Sequence, residues 1–230
     1  MSAALVSTAE ALVPAKPSLR ALRTAAAKCR ACPLWKLGTQ TVFGAGPKNA
    51  RIVFVGEQPG DREDVEGRPF VGPAGRLLDR ALDAAGIDRG EVFVTNAVKH
   101  FKWRPAGKRR LHQKPNAREI AACRPWLEAE IRVLAPDIVV ALGATAAQSL
   151  MGPAFRVTRD RGRKFDVPWA RGFAATVHPS SILRGDPDER EKAFAALVAD
   201  LKAIAGMQRH ASSTDAGAQR LPQGERGVAG

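Results

Sequence analysis

The chain has 230 residues, 45% of them apolar, enough for one sizeable core and too many for wholesale disorder. An excess of 36 basic over 23 acidic residues gives a formal charge of +13 and a pI ≈ 10.5, which favours a polyanionic partner, nucleic acid first among them. No run approaches the ~18 apolar residues of a membrane span, and the first residues lack the basic start and apolar stretch of a secretory signal. Three cysteines cannot form a paired disulfide framework, so a reducing, cytoplasmic setting is expected.

Residues 1–17, rich in alanine, read as a loose leader. RIVFV (51–55), VFVTNAV (92–98), DIVVAL (137–142) and FAATV (173–177) are continuous apolar runs, the pattern of strands covered on both faces. Helical patterns lie between them. Leu77, Leu78, Ala81, Leu82 and Ala85 share one face ahead of a stop at Gly86. Asn116 with Glu119 has the form of a capping box, opening a helix through Ile120, Leu127 and Ile131 that stops near Pro136. A last helix opens at Asp186-Pro187 and carries Phe194, Leu197, Val198 and Leu201 to a stop at Gly206. Beyond it the periodicity ends, and residues 206–230 read as a disordered tail. The expected domain is therefore residues 18–205, a three-layer α/β/α fold around a central, mostly parallel four-stranded sheet.

Each expected strand ends in a segment of distinctive chemistry: Gly56-Glu57-Gln58-Pro59-Gly60, Asn96, Gly143-Ala144-Thr145 and His178-Pro179-Ser180-Ser181. Ligands of open α/β sheets bind beyond the carboxyl ends of the strands, so these four ends mark a candidate pocket. The GEQPG turn lacks both GxGxxG spacing and a GK[ST], which excludes a nucleotide phosphate loop. Phe70, bracketed by Gly and Pro in GRPFVGPAG (67–75), either stacks on a flat heterocycle or packs back on the core. Asn96 offers one acceptor and two donors, the complement of a base edge, or serves as a turn asparagine. His178 is either a donor to a developing oxyanion or an incidental residue of a helix-entry loop.

Cys29 and Cys32 form a C-x₂-C pair, with Cys123 remote in sequence. These residues suit a metal or cluster site, with His100 as a candidate fourth ligand, but equally a redox pair or buried thiols. The segment KHFKWRPAGKRRLHQKP (99–115) packs nine Lys, Arg and His residues around Phe101 and Trp103, a composition suited to phosphates and bases. His112, which ends its KRRLH run, is either a phosphate contact or a group presented to the pocket.

In this order, the C-x₂-C pair, GEQPG, GRPFVGPAG, TNAVKHF, ACRPWL and VHPSS resemble the uracil-DNA glycosylase superfamily over about residues 20–204. The similarity is to its iron–sulfur family 4 branch, and within that to the UdgX subgroup. GEQPG stands where family 4 typically has GEGPG or GEAPG, His100 stands in place of a cysteine, and the KRRLH loop has little counterpart in ordinary members.

The resemblance implies a structural [4Fe–4S] cluster held by Cys29, Cys32, His100 and Cys123. It also implies a monomer acting on uracil-containing DNA, with single strands accepted because a stacked base must be flipped out. Uracil would stack on Phe70, pair with Asn96 and meet Gly56, Gln58, Pro59 and Gly60. Glu57 would stand by the oxocarbenium-like sugar and His178 would stabilise the leaving uracil anion. Lys108, Arg109, Arg110, Ser180 and Ser181 would hold DNA. His112 would bond to C1′ and leave a covalent adduct. The competing expectation is an ordinary turnover glycosylase in which His112 only contacts DNA.

Overall fold

The computed structural model describes residues 8–218, with side chains through residue 208. In chain order the elements are α1 (Leu19–Ala26), β1 (Ile52–Gly56), α2 (Asp61–Glu66), α3 (Pro73–Ala84), β2 (Val92–Asn96), β3 (Trp103–Ala106), β4 (Arg109–His112) and α4 (Ala117–Leu134). They continue with β5 (Ile138–Leu142), α5 (Ala144–Met151), α6 (Val157–Asp160), β6 (Phe165–Val167), β7 (Ala170–Thr176), α7 (Pro179–Arg184) and α8 (Arg190–Ala218).

The main sheet has the order β2-β1-β5-β7-β6, and all its pairings are parallel except β6 against β7. Every residue of β1, β2 and β5 is buried, because helices cover both faces. Ile52, Phe54, Val94 and Val140 pack on one face with Leu78 and Leu82 of α3 and Leu197 and Leu201 of α8. Val53, Val55, Phe93 and Val139 pack on the other with Leu127 and Ile131 of α4 and Ala146 and Leu150 of α5. A third cluster joins α1 to the outer side of α4 through Leu22, Leu34 and Trp126, and it contains all three cysteines.

Five strands replace the four expected. The fifth, β6, is a three-residue antiparallel edge that carries no continuous apolar run. The basic segment forms a hairpin rather than a loop: β3 pairs with β4 so that Trp103 faces His112, with a tight turn at Gly107-Lys108, where Gly107 has φ 59°. The capping box at the head of α4 forms as expected, with Asn116 accepting from the Glu119 N–H and Glu119 accepting in return.

Both expected termini need correction. Helix α8 passes through Gly206 to Ala218, so the boundary at residue 206 falls inside a helix. Nothing there compels a stop: Met207 packs on the core, and Gln208 Nε2 donates to Asp137 at 3.2 Å. An interior glycine costs a helix only about 1 kcal/mol. Within the leader, Ala9 is fully buried in the cysteine cluster and its N–H donates to the Ala122 carbonyl of α4 at 2.9 Å. Residues 1–7 and 219–230, the remainder of the leader and tail, lie outside the described residues.

Candidate active site

The parallel register sets Gly56, at the end of β1, beside Asn96, at the end of β2. Pairing continues past both strands, with the Ala97 and Val98 N–H groups donating to Gly56 and Glu57 carbonyls at 2.8 and 3.0 Å. This extension holds the GEQPG backbone against the asparagine. A Cβ on Gly56 would lie 2.3 Å from Asn96 Oδ1 and 2.8 Å from Phe70 Cζ, so the three residues meet over a position that tolerates no side chain.

Phe70 is buried and holds a left-handed φ of 59°. A side chain at Gly75 would collide with its carbonyl, so the glycine of GPAG permits this backbone. Glu63, which the sequence reading missed, locks the loop in place. Its Oε1 accepts the Gly72 N–H at 2.8 Å, and a Cβ on Gly60 would come within 2.6 Å of its other oxygen. The Phe70 loop and the GEQPG turn are thus joined through one buried carboxylate.

The Phe70 ring stacks against His178, with centroids 6.2 Å apart and planes 27° from parallel. His178 Nδ1 accepts the Ser180 N–H at 3.1 Å and lies 2.8 Å from Ser180 Oγ. A nitrogen that accepts from a backbone N–H carries no proton, so the ring proton sits on Nε2. Burial, followed by the charges of Arg184 and His112, lowers the His178 pKa to about 4. At neutral pH His178 is therefore a neutral donor through Nε2. Ser180 and Ser181 were expected on DNA. Instead Ser180 holds the His178 ring and Ser181 Oγ donates to the His178 carbonyl at 2.7 Å, so these hydroxyls order the loop.

The hairpin brings His112 to the same place. Its Nε2 lies 3.4 Å from Glu57 Oε1, its ring neighbours Phe101, and its side chain is 50% exposed. Partial burial lowers its pKa, with Glu57 opposing and Arg184 reinforcing the shift. Asn96, Phe70, His178, His112 and Glu57 therefore lie around the same strand ends.

Gln58, expected at the pocket, and Arg110, expected on DNA, are both engaged within the protein. Gln58 is buried, and its amide clamps the roots of the hairpin, donating to the Lys102 and Gln113 carbonyls at 3.2 and 3.0 Å and accepting the Lys102 N–H at 3.2 Å. Arg110 is an anchor rather than a free DNA contact: it pairs with Asp61 and with buried Asp64 at 2.7 Å, and it lies over Phe101 and Trp103. Lys102 pairs with Glu119 at 2.9 Å. Lys99, read as one of the basic cluster, is fully buried. Its Nζ donates to Glu130 at 2.6 Å, Thr95 at 2.6 Å and the Asn96 carbonyl at 2.8 Å. Lys108 and Arg109, at the hairpin tip, remain exposed and make no ion pair among the described residues. No motif announced these internal pairings, because Asp64 and Glu130 are remote in sequence from their partners.

Cys29, Cys32 and Cys123 are buried together as free thiols. Burial raises Cys32 and pushes Cys123 up to about 12, with the neighbouring cysteines adding to both shifts. Cys29 Sγ accepts from Trp126 Nε1 at 3.3 Å and Cys123 Sγ from the Lys99 N–H at 3.2 Å, donors of the kind that steady a metal-bound thiolate. His100, next to Lys99, is buried. Among the described residues, no three His, Cys, Asp or Glu side chains are grouped to hold a single metal ion. The donor set of three thiols and an imidazole fits a thiolate-bound cluster.

The ends of the mostly parallel α/β sheet thus gather an aromatic ring, a buried amide, a neutral histidine and a carboxylate. The family model described as uracil DNA glycosylase superfamily matches residues 43–202, and the chain belongs to that superfamily. It is 44% identical over 163 residues to a type-4 uracil-DNA glycosylase of Thermotoga maritima, covering 70% of this chain and 81% of the relative. A type-4 uracil-DNA glycosylase of Saccharolobus solfataricus is 44% identical over 168 residues, covering 70% and 74%. A type-5 uracil-DNA glycosylase of Thermus thermophilus is 29% identical over 196 residues, covering 76% and 84%. No helix among the described residues is long and apolar enough to cross a membrane.

Proposed function

We propose that this protein excises uracil from DNA and that His112, rather than water, captures the sugar, as the likeness to the UdgX subgroup implies. The base stacks on Phe70, pairs with Asn96 and lies against the backbone of Gly56, Pro59 and Gly60. As the N-glycosidic bond breaks, its electron pair leaves with uracil, and His178 Nε2–H donates to the resulting anion. Positive charge develops at C1′ beside Glu57. The unprotonated ring nitrogen of His112 gives its lone pair to C1′, and the imidazolium so formed passes its N–H proton to Glu57. A neutral N-alkyl imidazole on the deoxyribose results. Lys108 and Arg109 are free to meet phosphates, and single strands are accepted because no pairing must be broken.

Cys29, Cys32, His100 and Cys123 would hold a [4Fe–4S] cluster. When bound it supplies a rigid cross-link between the N-terminal segment, the end of β2 and α4. Reduced buried thiols fit a cytoplasmic setting.

The observation that carries the capture step is the placement of a half-exposed, low-pKa imidazole 3.4 Å from the pocket carboxylate. The likeness to type-4 enzymes favours a second reading, in which water completes an ordinary turnover reaction. A uracil-containing oligonucleotide and denaturing electrophoresis decide between them. A slow protein–DNA band that disappears in His112→Ala is expected. Free abasic product with no adduct would place the chain with the turnover enzymes.

A further inference from the structure

One threonine proton identifies which atom of His100 is free to bind metal. Thr41 Oγ1 lies 3.0 Å from the Ala26 carbonyl and 3.0 Å from His100 Nε2. A carbonyl oxygen only accepts, so the single hydroxyl proton goes to Ala26. The contact with His100 then needs the ring as donor, and Nε2 carries the hydrogen. In a neutral imidazole this leaves the lone pair on Nδ1. The same Ala26 carbonyl also accepts the Cys29 N–H at 3.0 Å, and the Val42 N–H donates to the Lys99 carbonyl at 2.8 Å. One short relay thus runs from the backbone of the first cysteine, through Thr41, to the imidazole, while the next residue binds the strand end that carries it.

We propose that Thr41 is the positioning residue of the cluster and that His100 coordinates iron through Nδ1. The inference rests on the cluster reading above. A thiolate ligand has no tautomers and a single donor atom, whereas an imidazole has two candidate nitrogens. A fixed acceptor on Nε2 chooses between them and sets the plane of the ring. Thr41 makes an imidazole serviceable where a cysteine would need no such help.

The test uses the full chain, purified without air as wild type, Thr41→Val, Thr41→Ser, His100→Cys and the Thr41→Val/His100→Cys double variant. Visible absorbance, iron and sulfide content, and the rate of bleaching with EDTA in air are measured. Loss of such an outer hydrogen bond typically lowers metal retention by about 10- to 100-fold. Thr41→Val is expected to fall by that order and Thr41→Ser to keep the wild-type value. In the His100→Cys background, Thr41→Val should make no difference. Hyperfine coupling to histidine labelled with ¹⁵N at Nδ1 alone is expected in the paramagnetic state of the cluster. Wild-type retention in Thr41→Val, an equal loss in the His100→Cys background, or coupling from the Nε2 label instead would each overturn the assignment. Colourless, iron-free protein in wild type and His100→Cys alike would sink the cluster reading itself, and this inference with it.

Discussion

His178 illustrates how a local hydrogen bond becomes a chemical role. With Nδ1 occupied and a pKa near 4, it stays a neutral donor across the physiological range. Removing an oxyanion donor of this kind costs about 10²–10³ in rate, so His178→Ala should slow uracil release by that order in single-turnover assays. The acid limb of uracil release that belongs to His178 should lie near pH 4. On the capture reading adduct formation needs neutral His112, whose pKa is lowered, so its rate should begin to fall at a lower pH than a free imidazole would set. Both folded pKa values lie below the unfolded one. The unfolded chain therefore takes up protons first, and these histidines cost stability as pH falls from about 6.5 toward 4. Melting temperatures measured across that window should decline. Gly56 gives a second test at single-residue size. A methyl group there must displace Asn96 or Phe70, and misplacement by about 1 Å can cost about 100-fold, so Gly56→Ala should lose excision on that order. Asn96, Glu57 and His178 could be read from sequence because each closes or follows a strand, and Phe70 because glycine and proline bracket it beyond α2. Glu63, Asp64 and Glu130 could not, since nothing in their neighbourhood names a partner nine to 46 residues away.

The hairpin shows why an element can be misread from composition. Its cations suited phosphates, yet Arg110 is held by α2 and Lys102 by Glu119. Both ends are closed by one amide, Gln58. What composition signalled as an interaction loop is a strand pair with Arg110 internally paired and Arg104, Lys108 and Arg109 exposed. On the proposed capture by His112, this anchoring bears on the partition between water and imidazole. Gln58→Ala should leave uracil release proceeding while the fraction of product recovered as adduct on a denaturing gel falls. Helix boundaries divided along similar lines. The cap of α4 was readable because its two halves lie three residues apart. The persistence of α8 beyond Gly206 was not, because it depends on packing of Met207 and on Asp137, contributed from elsewhere in the fold.

Across the molecule, one buried post joins the two halves of the proposed chemistry. Lys99 ties its N–H to Cys123 Sγ and its ammonium to the Asn96 carbonyl and Glu130, while Glu130 Oε1 accepts the Gly44 N–H at 3.0 Å. Glu130→Leu leaves the ammonium buried without its counter-charge and should cost about 3–5 kcal/mol in denaturant melts. The Lys99→Met/Glu130→Leu pair should recover much of that loss, since two matched apolar groups bury no charge. The layered fold itself was foreseeable from four apolar runs alternating with helical patterns. The edge strand β6 was not, because three residues at a sheet margin leave no periodic trace.

Pro125 lies inside the continuous helix α4. Lacking an N–H, it cannot close the turn back to Ala121, and one residue along the Ala122 carbonyl takes its bond from Ala9. Ala9 is thereby held in the same buried cluster as Cys123. Anyone shortening this protein for crystallisation should leave that stretch intact: on the cluster reading, a version beginning at Ser18 should come off the column paler, and fade sooner, than the 230-residue chain.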